Sequence, residues 1–283
     1  MCDHRGHHHG NHKPIQVVAR VRLAGVLAAA AALAGCGPRD PTAIAGARAP
    51  VPTASERAYH APPTVTSVRR LASGGVVVAG EAIGGGRVRV ATRGGGAAYA
   101  QADDKGAWSL GLAPAATPRL FGVSMVDHAR AVQAEGYLAI TPDGQGAQLR
   151  AGSGTLVLGA SPRVPRLLAV DFDARGVAVI SGSAPPGAMV RVRIDSVERG
   201  AALADRAGRF SLAIEEPLAP GDHRVEIAAA GTSLAIDAAI VAPVAPAGPF
   251  SATRIAGGWR IDWLTPGGGR QTTLIFPPMK GAA

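Results

Sequence analysis

Sliding the chain against itself by 102 positions lays residues 63–123 onto 165–225 without a gap, with 19 identities in 61 positions. The identical pairs include Pro63/Pro165, Val68/Val170, Gly74/Gly176, Gly80/Gly182, Ala82/Ala184, Gly85/Gly187 and Val88-Arg89-Val90/Val190-Arg191-Val192. The register runs on through Asp103/Asp205, Gly106/Gly208, Ser109-Leu110/Ser211-Leu212, Pro118/Pro220 and Val123/Val225. Val78/Ile180, Trp108/Phe210 and Leu112/Ile214 are conservative pairs in the same register. Abundant Ala and Gly inflate such a count, but they do not hold register at Asp, Pro and aromatic positions. The body of the chain is therefore one unit used twice, and each copy must close its own core.

Each copy reads as β. Val88-Arg89-Val90 and Val190-Arg191-Val192-Arg193-Ile194 alternate apolar and charged residues, the period of a half-buried strand. Gly84-Gly85-Gly86 and Pro185-Pro186-Gly187 punctuate the chain just before those strands. Asp103 to Gly106 and Asp205 to Gly208 fit type I turns, Asp first and Gly fourth. Each turn feeds a strand with alternate large apolar residues: Trp108, Leu110, Leu112 and Phe210, Leu212, Ile214. Short strands with turns every eight to twelve residues, over about 80 residues per copy, predict an all-β chain of two tandem sandwiches.

The shared pattern Gly-x-Ala…Gly…Val-x-Val…Ala-Asp-x-x-Gly-x-(Trp/Phe)-Ser-Leu…Pro…Val resembles the bacterial immunoglobulin-like repeats of cell-surface proteins. It falls on Gly80, Ala82, Gly85, Val88, Val90, Ala102, Asp103, Gly106, Trp108, Ser109, Leu110, Pro118 and Val123, and on the same positions of the second copy. Carboxypeptidase regulatory-like domains share much of it. The resemblance implies Ig-like sandwiches over residues 63–142 and 165–244 that act as spacers, adhesion units or docking surfaces. Its motif specifies turns and core, so it speaks to fold more than to function.

Ahead of the repeats, Arg20 and Arg22 precede an apolar run over residues 23–34 that ends in Leu33-Ala34-Gly35-Cys36. A basic start, a short apolar segment and small residues make a secretory signal; a spanning helix needs about 20 apolar residues. Leu33-Ala34-Gly35-Cys36 resembles the lipobox of bacterial lipoproteins, which implies cleavage after residue 35 and a lipid on Cys36. The long, His-rich leader (His4, His7, His8, His9, His12) is removed with the signal, and a start near Val17 or Val18 gives more usual proportions. Residues 36–62 are rich in Pro, Ala, Thr and Arg without hydrophobic period, which predicts a disordered, extended tether. Gly37 stands where many Gram-negative lipoproteins carry an acidic retention residue, so the resemblance favours the outer membrane over the inner.

The chain has two cysteines, Cys2 in the leader and Cys36, so a core without disulfides is expected. Removing residues 1–35 leaves 25 basic against 19 acidic side chains, a net charge of +6. That surface suits anionic envelope neighbours, and most arginines read as solvated strand faces. No interleaved basic and aromatic motif points to nucleic acid. Apart from the lipid, no cofactor is implied.

A segment at 143–164 separates the copies and holds one candidate extra strand around Thr155-Leu156-Val157-Leu158. After residue 244 a Pro/Ala hinge leads into a C-terminal hairpin within 245–283. Trp259, Ile261 and Trp263 alternate there with Arg260 and Asp262, and Gln271-Thr272-Thr273-Leu274-Ile275-Phe276 forms the return strand. A lone hairpin is marginal in water. Its aromatic face therefore either covers the second sandwich or the spacer, or is a docking face for a protein or a glycan, with Trp259, Arg260, Ile261 and Trp263 as contact residues.

Catalytic constellations are missing. The histidines beyond the leader are His60, His128 and His223; Asp127 and His128 are strand neighbours and point to opposite faces. Asp103-Asp104 and the Asp171 to Gly176 stretch offer clustered carboxylates, but the further ligands of a calcium loop are lacking, so both read as turns. The glycine triplets at 84–86 and 94–96 precede no Lys-Ser/Thr and no helix. Three readings follow: a non-catalytic envelope lipoprotein that presents a protein-binding or scaffolding surface, a glycan-binding module using the C-terminal tryptophans, or a passive spacer.

Overall fold

The described residues fold into antiparallel β-sheets. The computed structural model describes residues 61–127, 130–159 and 164–276, all within one compact unit, Thr53–Ala283. The leader, Cys36, the tether through residue 60 and His128 lie outside the described residues.

The first copy comprises β1 (Thr64–Arg70), β2 (Val76–Glu81), β3 (Arg87–Ala91), β4 (Ala97–Gln101), β5 (Ala107–Leu112), β6 (Arg119–Asp127) and β7 (Arg130–Gln133). The sheet β1-β2-β5 faces a sheet built on β4-β3-β6, with β7 added to one half of β6. Val68, Val78, Val88, Val90, Trp108, Val123 and Met125 fill the space between them. Then come β8 (Tyr137–Ile140), β9 (Gly146–Leu149) and β10 (Leu156–Val157). The second copy repeats the plan with β11 (Arg166–Asp173), β12 (Ala178–Ser183), β13 (Met189–Ile194), β14 (Val197–Leu203), β15 (Arg209–Ala213), β16 (Gly221–Ala229) and β17 (Thr232–Ile240). Its core is formed by Val170, Phe172, Ile180, Val190, Val192, Phe210, Val225 and Ile227.

The repeat identities have a mechanical reading. In both copies the first strand bulges at the same place, between Val65 and Ser67 and between Leu167 and Ala169. Opposite each bulge is the repeated glycine. A Cβ on Gly80 would stand 1.9 Å from the Thr64 carbonyl oxygen and 2.7 Å from the Trp108 ring. On Gly182 it would stand 2.1 Å from the Arg166 carbonyl oxygen and 2.6 Å from the Phe210 ring. Bulge, glycine and aromatic ring are thus one packed unit, and they recur together because none fits without the others.

The alignment at 102 positions holds through β5 and β15, where Val78 faces Leu110 and Ile180 faces Leu212. It fails one strand later. Val90 pairs with Val123, but Val192 pairs with Ile227, so β16 has slipped by two residues. The Pro118/Pro220 and Val123/Val225 identities are therefore not equivalent positions. The turn between β15 and β16 is longer, and an even slip keeps the same side chains facing the core.

Both sandwiches also grow sideways. In the first, the chain leaves β7, bulges at residues 134–136 and rejoins β6 as β8, so one strand's edge is shared by two. A hairpin then adds β9, which pairs with β10, so the interval expected to hold one extra strand contributes two. In the second, the C-terminal segment is not a lone hairpin. Its three strands, β18 (Phe250–Ile255), β19 (Gly258–Leu264) and β20 (Arg270–Ile275), join the sandwich through pairing of β20 with β11. The two extensions meet face to face. Leu120, Ala139, Ala147, Leu149 and Val157 from one side pack against Leu168, Ala169, Ile261, Trp263 and Ile275 from the other. This third core fuses the two copies.

Candidate functional site

The alternation of β19 splits the four proposed contact residues between two faces. Ile261 and Trp263 lie in the third core and Trp259 shares their side of the strand at its outer end, while Arg260 turns with Asp262 toward the second sandwich. Trp263 is fully buried, its ring edge-on to Tyr137 at 6.0 Å and 86°. Its Nε1–H donates to Thr273 Oγ1 at 3.1 Å. Ile261 is equally buried. Trp259 is half-buried under the Arg254 guanidinium, 5.1 Å from the ring centre. A sugar platform needs an open aromatic face, and Trp263 has none. The expectation of a two-tryptophan glycan site is corrected accordingly: the hairpin's apolar face is consumed in joining the sandwiches.

Arg260 is likewise structural. It makes a two-pronged ion pair with Asp262, Nε to Oδ2 at 2.9 Å and Nη2 to Oδ1 at 2.7 Å. Nη2 also donates to the Val241 carbonyl at 2.9 Å, and Thr272 Oγ1 donates to Asp262 Oδ1 at 2.5 Å. The bidentate geometry and the extra donors are what let a charge pair sit under a sheet.

Asp171 was expected in a turn; it stands instead in the middle of β11, fully buried at the seam. Its Oδ2 accepts from the Thr155 N–H at 2.7 Å. Its Oδ1 accepts from Thr155 Oγ1 at 2.7 Å, Thr273 Oγ1 at 2.6 Å and Gln271 Nε2 at 3.4 Å. A relay therefore runs from the Trp263 indole through the Thr273 hydroxyl to this carboxylate. Burial pushes the Asp171 carboxyl above its ordinary value, against the hydrogen bonds that pull it down. The signal in the sequence was a lone acid inside an apolar run, Leu167-Leu168-Ala169-Val170-Asp171-Phe172. Asp173 is the true turn residue, its Oδ1 accepting from the N–H groups of Arg175 and Val177.

The loop that carries Thr155 docks on the second sandwich through Gly154, at φ +80°. A Cβ there would stand 2.4 Å from Ser181 Oγ and 2.5 Å from Ser211 Oγ. Ser211 Oγ also donates to the Ser153 carbonyl at 3.1 Å. Gly154→Ala should therefore destabilise the protein by about 1–3 kcal/mol through strain at that backbone angle and lost contact. Urea unfolding of the variant checks this; an unchanged midpoint would show that the loop is not held.

The two repeated turns are closed in the same way. Asp103 Oδ1 accepts from the N–H groups of Lys105 and Ala107, and Asp205 Oδ1 from those of Ala207 and Arg209. Gly106 and Gly208 close the turns at φ 89° and 72°. These carboxylates serve backbone donors. Among the described residues, no group of three or more ligating side chains occurs.

His223 bridges the β13–β14 turn to its neighbour. Its Nδ1 lies 2.6 Å from Asp195 Oδ2 and its Nε2 2.8 Å from the Ala219 carbonyl oxygen. Burial lowers its pKa, but both acceptors favour the imidazolium, and the net shift is upward. Asp195 is shifted down, first by the Arg224 N–H and then by His223. The histidine's contribution is complete below its unfolded value of about 6.5 and fades as pH rises through the higher folded value. The aspartate's contribution is present above about pH 3.9 and is lost as pH falls through the lower folded value. Thermal midpoints should therefore drop between pH 6 and pH 9, and His223→Gln should flatten that limb; an equal drop in the variant refutes the assignment.

Outside the seam, the two sandwiches repeat an outer face. Arg89 and Arg191 occupy equivalent positions at its centre, each flanked by exposed apolar groups. In the first copy, Tyr99 is 48% exposed with Arg87 stacked 4.2 Å from its ring centre, and Val126 is exposed nearby. In the second, Met189 and Leu203 face each other across β13 and β14 at 53% and 63% exposure. Beside them a shallow groove of about 410 Å³ is lined by Arg191, Ala228, Gly231 and Ser233.

No protein-family model and no curated protein sequence matches the chain. Among solved structures, the BSP domain of a biofilm associated protein is similar over 66% of this chain and 30% of its own, at 11% identity and TM-score 0.25. A central fibronectin-III array of RIM-binding protein is similar over 76% of this chain and 88% of its own, at 16% identity and TM-score 0.23. Invasin, titled a bacterial integrin-binding protein, is similar over 76% of this chain and 54% of its own, at 13% identity and TM-score 0.22. The chain thus spans less than a third of the biofilm protein's length.

Proposed function

We propose that this chain is a non-catalytic lipoprotein of the bacterial cell envelope, anchored through a lipid on Cys36, whose fused sandwiches offer a binding surface to another envelope protein. The observation that carries the reading is the exposed pair Met189 and Leu203 beside Arg191 on a sheet that nothing in the described structure covers. Large apolar side chains grouped with an arginine on a rigid sheet are the composition of protein-binding patches. The reactive side chains inside the described region, Asp171, Asp262, Arg260 and His223, are all engaged in holding strands together. The outer-membrane address rests on the lipobox resemblance and on Gly37.

A photoactivatable residue placed at Leu203 in the anchored protein tests this. One discrete crosslinked adduct, lost on Met189→Asp and retained for a probe that keeps Met189, supports the reading. An anchored, folded protein that gives no adduct from Leu203 or from Tyr99 leaves only a spacer role. Mass spectrometry of the mature N-terminus tests the anchor: a lipid on Cys36 supports it, and an unmodified Cys36 or cleavage elsewhere refutes it.

A further inference from the structure

We propose that the chain carries a strand-addition site separate from the Met189 and Leu203 patch: the free edge of β4, which takes an extended acidic segment of another protein as an added strand. β4 ends its sheet, and among the described residues only β3 pairs with it. At the two ends of that pairing, the Thr92 N–H donates to the Gly96 carbonyl and the Ala102 N–H to the Gly86 carbonyl. Bonded pairs alternate along an antiparallel ladder, so Ala98 and Ala100 bond β3. The N–H and C=O groups of Ala97, Tyr99 and Gln101 therefore point off the sheet, and no other described backbone group meets them. All three residues are exposed.

Native sheet edges are blunted by charges, bulges or proline. The equivalent strand of the second copy uses the first two. β14 breaks register with β13 at Val192/Arg193, Gly200 stands at φ 138°, and Arg199 pairs with Glu216 from the loop after β15. β4 has neither device: Ala97-Ala98-Tyr99-Ala100-Gln101 is uncharged, lacks proline and pairs without a bulge. The copies share the strand but not its protection. A flat edge left open on a packed sandwich is the geometry of strand addition.

The charge of the partner follows from the face beside this edge. The Arg87 guanidinium lies 4.2 Å from the Tyr99 ring centre, which carries its charge from β3 onto the edge strand. Arg89 stands opposite Tyr99, and Arg93 is exposed in the β3–β4 turn. No carboxylate among the described residues pairs with any of the three. β3, β4 and residues 122–126 of β6 contain no acid. The second copy balances its own face, where Glu198 and Glu226 flank Arg193. A strand added about 4.8 Å beyond β4 sets its outward side chains beside Arg87, where acids pair and lysines are repelled. Its inward side chains extend the rim of the first core next to half-buried Ala98 and Ala100, so they are apolar. The β4 of a second copy fits poorly, because it opposes Arg87 and Arg89 with their own counterparts.

The test is a nuclear magnetic resonance titration of residues 53–283, the compact unit, with the end-blocked peptide Glu-Val-Glu-Val-Glu-Val. The comparison peptides are Lys-Val-Lys-Val-Lys-Val and the acidic peptide methylated on every backbone nitrogen. At saturation the amides of Ala97, Tyr99 and Gln101 should gain protection from hydrogen exchange, while those of Ala98 and Ala100 stay as they were. At low salt the acidic peptide should bind about ten-fold tighter than the lysine peptide, the sum of a few surface ion pairs. That advantage should shrink at high salt, and the methylated peptide should not bind. Arg87→Glu should invert the charge preference. Tyr99→Pro removes the central edge N–H without touching the β3 ladder and should abolish binding. No saturation, protection without the alternation, equal binding of both charges, or an unchanged preference in folded Arg87→Glu overturns the proposal. So does a peptide-free dimer that protects the same three amides, since the edge then belongs to a second copy. If Tyr99→Pro does not fold, the methylated peptide decides the backbone role on the unaltered protein, and its undiminished binding overturns the proposal equally.

Discussion

Trp263→Ala should lower the unfolding free energy by about 3–5 kcal/mol, the usual cost of deleting a fully buried large aromatic. The ring touches both extensions: it lies edge-on to Tyr137 on one side and is hydrogen-bonded to Thr273 on the other. Truncation empties the middle of the third core, where Ile261, Leu149 and Leu168 cannot close a void of that size without moving whole sheets. The copies should then lose their mutual order while each retains its own core. Urea unfolding should show one transition becoming two, and Trp259→Ala, from a half-buried ring, should cost well under half as much. A loss below about 1 kcal/mol for Trp263→Ala would show that the third core adds no cohesion.

The second large effect concerns a single carboxylate. Asp171→Ala should destabilise by about 3–5 kcal/mol, because it strands the Thr155 N–H, the Thr155 and Thr273 hydroxyls and the Gln271 amide in a buried place. Asp171→Asn keeps one acceptor oxygen and should cost less. The two variants also differ from the wild type in their pH response. Burial holds the Asp171 carboxyl above its ordinary value, so the native state binds its proton more tightly than the unfolded chain does. The residue's contribution is therefore complete below about pH 3.9 and declines as pH rises through the folded value. Asp171→Asn should remove that decline. Unfolding midpoints of wild type and Asp171→Asn measured from pH 3 to pH 8 decide it: parallel curves would mean that the carboxylate is not strained by its burial.

Local chemistry made much of this architecture readable in advance. Alternation at Val88-Arg89-Val90, the Asp103 and Asp205 turns and the Gly80 and Gly182 positions depend on neighbours in sequence or on one paired strand, so residue order alone reveals them. The seam depends on surfaces that meet across roughly a hundred residues, and it was not legible in the same way. Phe250-Ser251-Ala252-Thr253-Arg254-Ile255 follows a proline-rich hinge and has large apolar residues only at its two ends, with no alternating apolar face, which hid β18. Trp263 looked like a ligand platform because its burial is supplied by β8 and β9, from the other copy. Asp171 looked like a turn former because an acid beside Asp173 and Gly176 usually is one; its four donors come from residues 155, 271 and 273.

Pairing of β11 with β20 joins Asp173 to Gln271 and Ala169 to Ile275, partners separated by about a hundred positions. Loop closure over such a span is slow, and it delays the step that makes it. A chain delivered from its N-terminus can complete the first sandwich early, but β11 keeps an open, apolar edge until the last strands arrive. Until then that edge is a template for any other extended segment, including the same strand of a second molecule. Truncations that remove residues 250–276 should accordingly be recovered as aggregates rather than as shorter monomers, and refolding of the full chain should show a slow phase.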